Sequence, residues 1–146
     1  MLRVCVGAVF IAHGARKLFG IWGGPGLQGT AAMLTALGLP YPHPLAVLLA
    51  VAEFGGGILL VLGGLTRWAA LALALDMAVA IWKVHAANGF FLADRAARGG
   101  GFEFAMVLLA ALVCLALIGP GAWSVDHRRS QSFEAAARGR ARARKM

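Results

Sequence analysis

The sequence predicts an all-α integral membrane protein: a four-helix bundle with a short interfacial or re-entrant helix in its first outer connection. Three observations carry this. Hydrophobic residues make up 60% of the 146 and charged residues only 14%, against about a quarter charged in soluble domains. So little polar surface cannot wrap a water-soluble core. The apolar residues come in runs near the roughly 20 that a spanning helix needs. The ionisable residues inside those runs recur at helical spacing with small residues, the residue type that helix contacts in membranes use.

The first helix is expected at about 2–19. Val4 to Ala15 carries no full charge, and Arg3, Arg16 and Lys17 flank it as cations able to snorkel. A cleaved signal peptide is the weaker reading, because a stretch ending at residue 14 is short and would place His13 beside the cut. Next, Leu27, Ala31, Leu34 and Gly38 recur at helical spacing before Pro40, which predicts the short helix of the first connection. The second helix, about 44–65, holds one charge, Glu53. The third, about 67–86, holds Asp76 and ends near Lys83 and His85. Phe104 to Val125 is 22 residues without an ionisable side chain, the clearest span, with its helix expected at about 103–121. The run Gly99-Gly100-Gly101 reads as a flexible lead into it. Trp22, Tyr41, Phe90 and Phe91 would form an outer aromatic belt. One domain, 1–126, is expected, followed by a disordered basic tail, 127–146.

Charge placement orients the chain. Four spans put both termini and the Thr66-Arg67 turn on one side. That side gathers nine cations: Arg3, Arg67 and the seven of the tail, against five (Arg16, Lys17, Lys83, Arg95, Arg98) on the other. By the positive-inside rule both termini are cytoplasmic, in a multi-pass protein of the inner membrane. The tail of a chain with net charge +8 is expected to meet anionic lipid. Nucleic acid is not expected, since no aromatic interleaving or binding motif accompanies the charge. The two cysteines, Cys5 and Cys114, lack CxxC spacing, which argues against a disulfide scaffold; both read as small apolar packers.

The buried charges carry the functional signal. Ala46, Ala50, Glu53, Gly57 and Gly64 fall on one stripe of the second helix. Ala69, Ala72, Asp76, Ala80 and Lys83 do so on the third, and Glu103, Ala110 and Cys114 on the last. Each unpaired charge at mid-membrane costs about 2.5–3.5 kcal/mol. Glu53 and Asp76 therefore either pair with His13, Arg16, Lys17 or Lys83, or stay protonated. Depth along the spans expects ionisable residues from all four helices to converge in the outer half. The bland reading is a set of polar ties fixing helix register, with Asp76 the best single example; the sharper reading is a ligand site.

In the segments "RVCVGAVFIAHGARKLFG", "LGLPYP", "AEFGGGILLVLGGLTRWAA", "DMAVAIWKVH" with a following "NGF", and "GPGAWSVD", the chain resembles the DoxX family of small four-helix membrane proteins, over roughly Arg3 to Asp126. The HG-x-x-K, A-E-x-x-G-G and G-P-G-x-x-S-x-D elements are fairly specific together. The resemblance implies a membrane partner of redox or detoxifying enzymes, since the family is named from a subunit linked to a thiosulfate:quinone oxidoreductase. It also implies that His13, Lys17, Glu53 and His85 occupy family positions, with Arg16 in a variable slot.

Two functions follow as expectations. One is a redox-linked membrane subunit binding a quinone-like or other small ligand, with Glu53, His13 and His85 catalytic and Arg16, Lys17, Asp76, Lys83 and Glu103 binding the ligand. The alternative is a non-enzymatic membrane anchor or assembly partner for a soluble oxidoreductase or detoxifying enzyme. Quinone is the cofactor expected under the first. A metal or haem on His13, Glu53 and His85 is disfavoured, because two histidines on separate helices form no local ligand motif. A transporter is weaker still, since four helices without repeats leave little for alternating access, and a homo-oligomer stays open.

Overall fold

The computed structural model describes residues 1–92, 100–128 and 130–132. Most of the tail, including Arg138 to Lys145, and the connection holding Arg95 and Arg98 lie outside the described residues. Every described element is helical: α1 (Leu2–Phe19), α2 (Gly26–Ala36), α3 (Pro42–Leu62), α4 (Thr66–Ala80) and α5 (Glu103–Ile118). α4 runs on through a π-helical turn, Ile81–His85, and a 3-10 turn, Ala86–Asn88.

Two helices, Pro42–Leu62 and Thr66–Asn88, are long and apolar enough to cross a membrane. α1 and the segment Ile21–Ala36 pass that test only together, bent by 107° at their break. Gly20 makes the break: it sits at φ 67° and returns its N–H to the Arg16 carbonyl, the left-handed closure that a helix C-terminus favours in glycine. α5 is shorter than its sequence suggests. The apolar run continues past Ile118, but Gly119 at φ 89° ends the helix before Pro120, leaving 16 residues, about 24 Å.

The packing is close where glycines allow it. α1 runs antiparallel to α3. A Cβ on Gly7 would lie 2.7 Å from the Gly57 carbonyl oxygen, and one on Gly57 would lie 2.7 Å from that of Gly7. One heptad on, a Cβ on Gly14 would lie 2.7 Å from the Phe54 Cα. Backbones this near are what small residues achieve between membrane helices. α1 ends level with the middle of α3, and α2 continues along the first half of α3, where Ala31 and Leu34 pack on Ala46. The main core joins Val6 and Phe10 of α1 and Leu60 of α3 to Ala69, Ala70, Leu73 and Ala74 of α4 and Leu108, Leu112 and Leu115 of α5.

Several packed faces differ from the expected ones. On α3 the buried set is Ala46, Ala50, Glu53, Gly57 and Leu60, which agrees except that Gly64 lies beyond the helix. On α4 the buried set is Ala69, Ala70, Leu73 and Ala74, while Ala72 and Lys83 are exposed. Leu73 owns the contact because Gly56 on α3 leaves room for it: a Cβ there would stand 3.1 Å from the Leu73 side chain. On α5 the large residues Leu108, Leu112 and Leu115 pack with Ala105, and Ala110 and Cys114 face outward. Cys5 is exposed as well, so neither cysteine is a packer. Of the expected glycine lead, Gly99 lies outside the described residues, and Gly100 and Gly101 are not loose. Gly101 is buried, its N–H donates to the Phe91 carbonyl, and the Phe102 N–H donates to that of Gly89.

The segment after α5 closes one end of the molecule. Asp126 accepts hydrogen bonds from the N–H groups of Leu65 (2.9 Å) and Thr66 (3.0 Å) and from the Thr66 hydroxyl. It thereby places a negative charge on the N-terminus of α4 from 60 residues away in sequence, where free N–H groups and the helix dipole favour an anion. Arg3, at the start of α1, donates to the carbonyls of Pro120 and Trp123. The G-P-G-x-x-S-x-D ending is thus a clasp joining α1, the α3–α4 turn and the chain after α5. Asp126→Ala is expected to cost about 1–3 kcal/mol by stranding the N–H groups at the start of α4. Denaturant titration in a fixed detergent measures it, and an unchanged midpoint would refute this role.

Candidate functional site

Four of the eight predicted site residues come together. Lys17, in the last turn of α1, reaches across to α3, where its Nζ forms an ion pair and hydrogen bond with Glu53 Oε1. Glu53 is 2% exposed and Lys17 21%. Asp76, from the middle of α4, lies within the field of the same glutamate and of Lys17. His13, one turn before Lys17, lies within the field of Glu53, although its side chain is largely exposed on the outside of the chain.

Local structure explains the placement. Gly14 lets α1 approach α3 closely enough for a lysine three residues later to reach a glutamate on the buried stripe. α1 stops at Gly20, so Lys17 sits level with the middle of α3 rather than at its end. Lys17 and Arg16 also stand in the final turn of α1, where a cation offsets the negative end of the helix dipole. Two oxygens are left over. Glu53 Oε2 and Asp76 Oδ2 are buried and receive no hydrogen bond from an N–H or hydroxyl donor. The cluster therefore sets two carboxyl groups against one ammonium group inside an apolar bundle.

The other four candidates are engaged elsewhere. Arg16 is exposed, and its backbone is covered by Gly24, where a Cβ would lie 2.6 Å from the Arg16 Cβ. Lys83 is exposed and lies over the Trp82 ring, 3.9 Å from its centroid. His85 Nδ1 is 3.3 Å from the Gly100 carbonyl oxygen. Glu103 Oε1 accepts a hydrogen bond from the Leu92 N–H at 2.7 Å, and the Asn88 amide donates to the carbonyls of Val84 and Gly100. His85, Asn88 and Glu103 thus fasten the connection between α4 and α5. Depth along a span does not set the face on which a side chain emerges, and the π-helical turn at Ile81–His85 shifts that face once more. Among the described residues no group of three His, Cys, Asp or Glu side chains is arranged to hold a metal ion.

Sequence reasoning placed Gly57 on the packed stripe but missed its partner Gly7 and the Asp126 clasp. Gly7 and Gly57 set the α1–α3 distance on which the Lys17–Glu53 contact depends. The heptad from Gly7 to Gly14 was the available signal. The Asp126 clasp had no local signal, because its partners lie on another helix.

An apolar helical assembly with a buried carboxyl–ammonium cluster defines a class: a helical membrane protein with a polar centre. Residues 1–86 match the DoxX family, and the chain belongs to it. It is 32% identical over 131 residues to an uncharacterized protein of Haemophilus influenzae, covering 87% of each chain. It is 31% identical over 130 residues to the inner membrane protein YqjF of Escherichia coli, covering 85% of each. It is 31% identical over 126 residues to CatD of Bacillus subtilis, provisionally named an oxidoreductase, covering 86% of this chain and 82% of that one. No solved structure gives a significant match.

Proposed function

We propose that the chain is a redox-linked subunit of the inner membrane that binds a quinone-like or other small ligand beside the Lys17–Glu53–Asp76 cluster. In this reading the membrane is crossed four times, with α1 and α2 as one broken span and both termini in the cytoplasm. The exposed Tyr41, Phe90 and Phe91 belong to the outer interface, whereas Trp22 stands at the break between α1 and α2. The observation that carries the proposal is Glu53: a carboxyl 2% exposed in the middle of an apolar helix, paired with a lysine. Ionisable groups inside a membrane are costly and mark ligand or proton sites. A quinone needs donors at its carbonyls and a nearby proton source. His13 and Lys17 supply the donors, and Glu53 supplies the proton. The provisional name of the Bacillus relative points to the same kind of chemistry.

A short-chain quinone is the probe. It should raise the melting temperature of the purified protein, and Glu53→Gln should abolish the rise. If no quinone co-purifies with the protein and an added one leaves both proteins unmoved, the proposal fails.

The alternative is a membrane anchor for a soluble oxidoreductase or detoxifying enzyme, with the cluster serving as a structural tie. The clasp of Arg3 and Asp126 favours it, because it builds a fixed platform from which the basic tail departs. Deleting residues 127–146 separates the two. The anchor loses its partner on co-purification, whereas the ligand site keeps its quinone response.

A further inference from the structure

The clasp has a groove beside it. Ser124 is 3% exposed and packs on the end of α3, where a Cβ on Gly63 would lie 2.6 Å from the Ser124 Cβ. The Ser124 hydroxyl donates to the Gly121 carbonyl at 2.7 Å and accepts the His127 N–H at 3.1 Å, the capping arrangement that starts a helical turn. The Asp126 N–H donates to the Gly63 carbonyl at 3.0 Å, which fixes this turn to α3. Arg128 stands one turn on from Ser124, with its N–H on the Ser124 carbonyl at 3.2 Å, and so emerges on the same face. Leu62, Trp123, Ser124, Val125 and Arg128 line a groove of about 220 Å³.

The groove is amphipathic. Trp123 is 86% exposed, Leu62 57% and Val125 46%, and the ionisable residue among its walls is the exposed cation Arg128. It is smaller than the roughly 300–1,000 Å³ of pockets that enclose a whole small molecule, so an occupant enters it only in part. From Leu62 the exposed Ile58, Val51 and Leu48 continue along α3 at helical spacing, an apolar track leading away from the cation. We infer that the groove seats the headgroup of one anionic phospholipid. Its phosphate accepts charge-assisted hydrogen bonds from Arg128. Its glycerol lies against the Trp123 indole, and an acyl chain follows the α3 track. Anionic lipids are the ones a cation at a membrane surface selects. This seat belongs to the described residues, unlike a diffuse attraction of the basic tail, and it stands whether or not a quinone binds at Lys17 and Glu53.

Native mass spectrometry of the full chain in a mild detergent tests it, with phosphatidylglycerol and phosphatidylcholine of the same acyl chains as probes. The wild type should bind one phosphatidylglycerol at least about ten-fold more tightly than phosphatidylcholine, the change expected of a hydrogen bond to a charged group. Arg128→Met should remove that preference. Arg67→Met should keep it, since Arg67 is exposed at the same end but does not line the groove. Trp123→Ala should weaken both lipids, and Trp68→Ala, also exposed at that end, neither. The backbone hydrogen bonds of Arg128 do not need its side chain, so an unshifted melting curve checks that its variant is folded. Equal binding of the two lipids by the wild type would overturn the inference. So would equal losses from Arg67→Met and Arg128→Met, or a preference that vanishes when residues 133–146 are deleted with Arg128 in place; both results mean diffuse attraction to the tail and surface charge.

Discussion

Lys17→Met is expected to lower the stability of the protein by about 3 kcal/mol, the usual cost of removing one partner of a buried ion pair. The methionine keeps the length and apolar stem of the lysine, so packing changes little. What goes is the only cation hydrogen-bonded to Glu53 among the described residues. Glu53 is 2% exposed, so water cannot easily replace that cation. Arg16→Met is the matched control. Arg16 is exposed on the same turn, and its loss should stay within about 0.5 kcal/mol. Equal effects from the two substitutions, read by denaturant titration in one detergent, would mean that Lys17 acts only as an interfacial charge.

Gly14→Leu should be at least as damaging, by a different route. Even the first carbon of a side chain would lie 2.7 Å from the Phe54 Cα and 2.8 Å from its Cβ, and backbone cannot give way as a side chain can. α1 must then move off α3, at a cost of about 1–3 kcal/mol or more for overpacking. The same movement carries Lys17 away from Glu53, so the ion pair is lost with the packing. Gly55→Ala is the contrast. A Cβ there meets nothing within 4 Å, and alanine is the better helix former by about 1 kcal/mol. The first variant should unfold well before the wild type, and the second should match or exceed it. If both behave alike, glycine is acting through helix propensity and the close approach of α1 to α3 is not what positions the lysine.

The sequence carried these relations unevenly. Ala46, Ala50, Glu53 and Gly57 were readable as a buried stripe because their spacings follow one face of a helix and the intervening residues are larger. α4 was not readable in that way. It alternates alanine and leucine, so every face offers small residues, and the choice fell to Leu73 because of a gap on α3 at Gly56. α5 packs through leucines, and a rule favouring small residues pointed to its wrong side. The convergence of His13, Lys17 and Glu53 could be expected from depth and charge. That Asp76 stands in the field of Glu53 fits the mid-membrane depth expected for both. His85, Lys83 and Glu103 share the depth of an outer site, yet hydrogen bonds to Gly100 and Leu92 and the ring of Trp82 hold them near the α4–α5 connection. The G-P-G-x-x-S-x-D ending shows the same limit. Its residues stand out in the sequence, but their task is a cap on a helix that starts 60 residues earlier.

Lys17 and Glu53 form one electrostatic unit in the middle of the protein. A double-mutant cycle with Lys17→Met and Glu53→Gln, read as unfolding free energy in a single detergent, measures it most directly. Residues that act as a unit do not add. Each single variant should be less stable than the wild type, and the double variant should lose less than the sum of the two, because removing either partner already breaks the Lys17–Glu53 ion pair. Additive losses in the double variant would contradict it and reduce the cluster to independent polar residues.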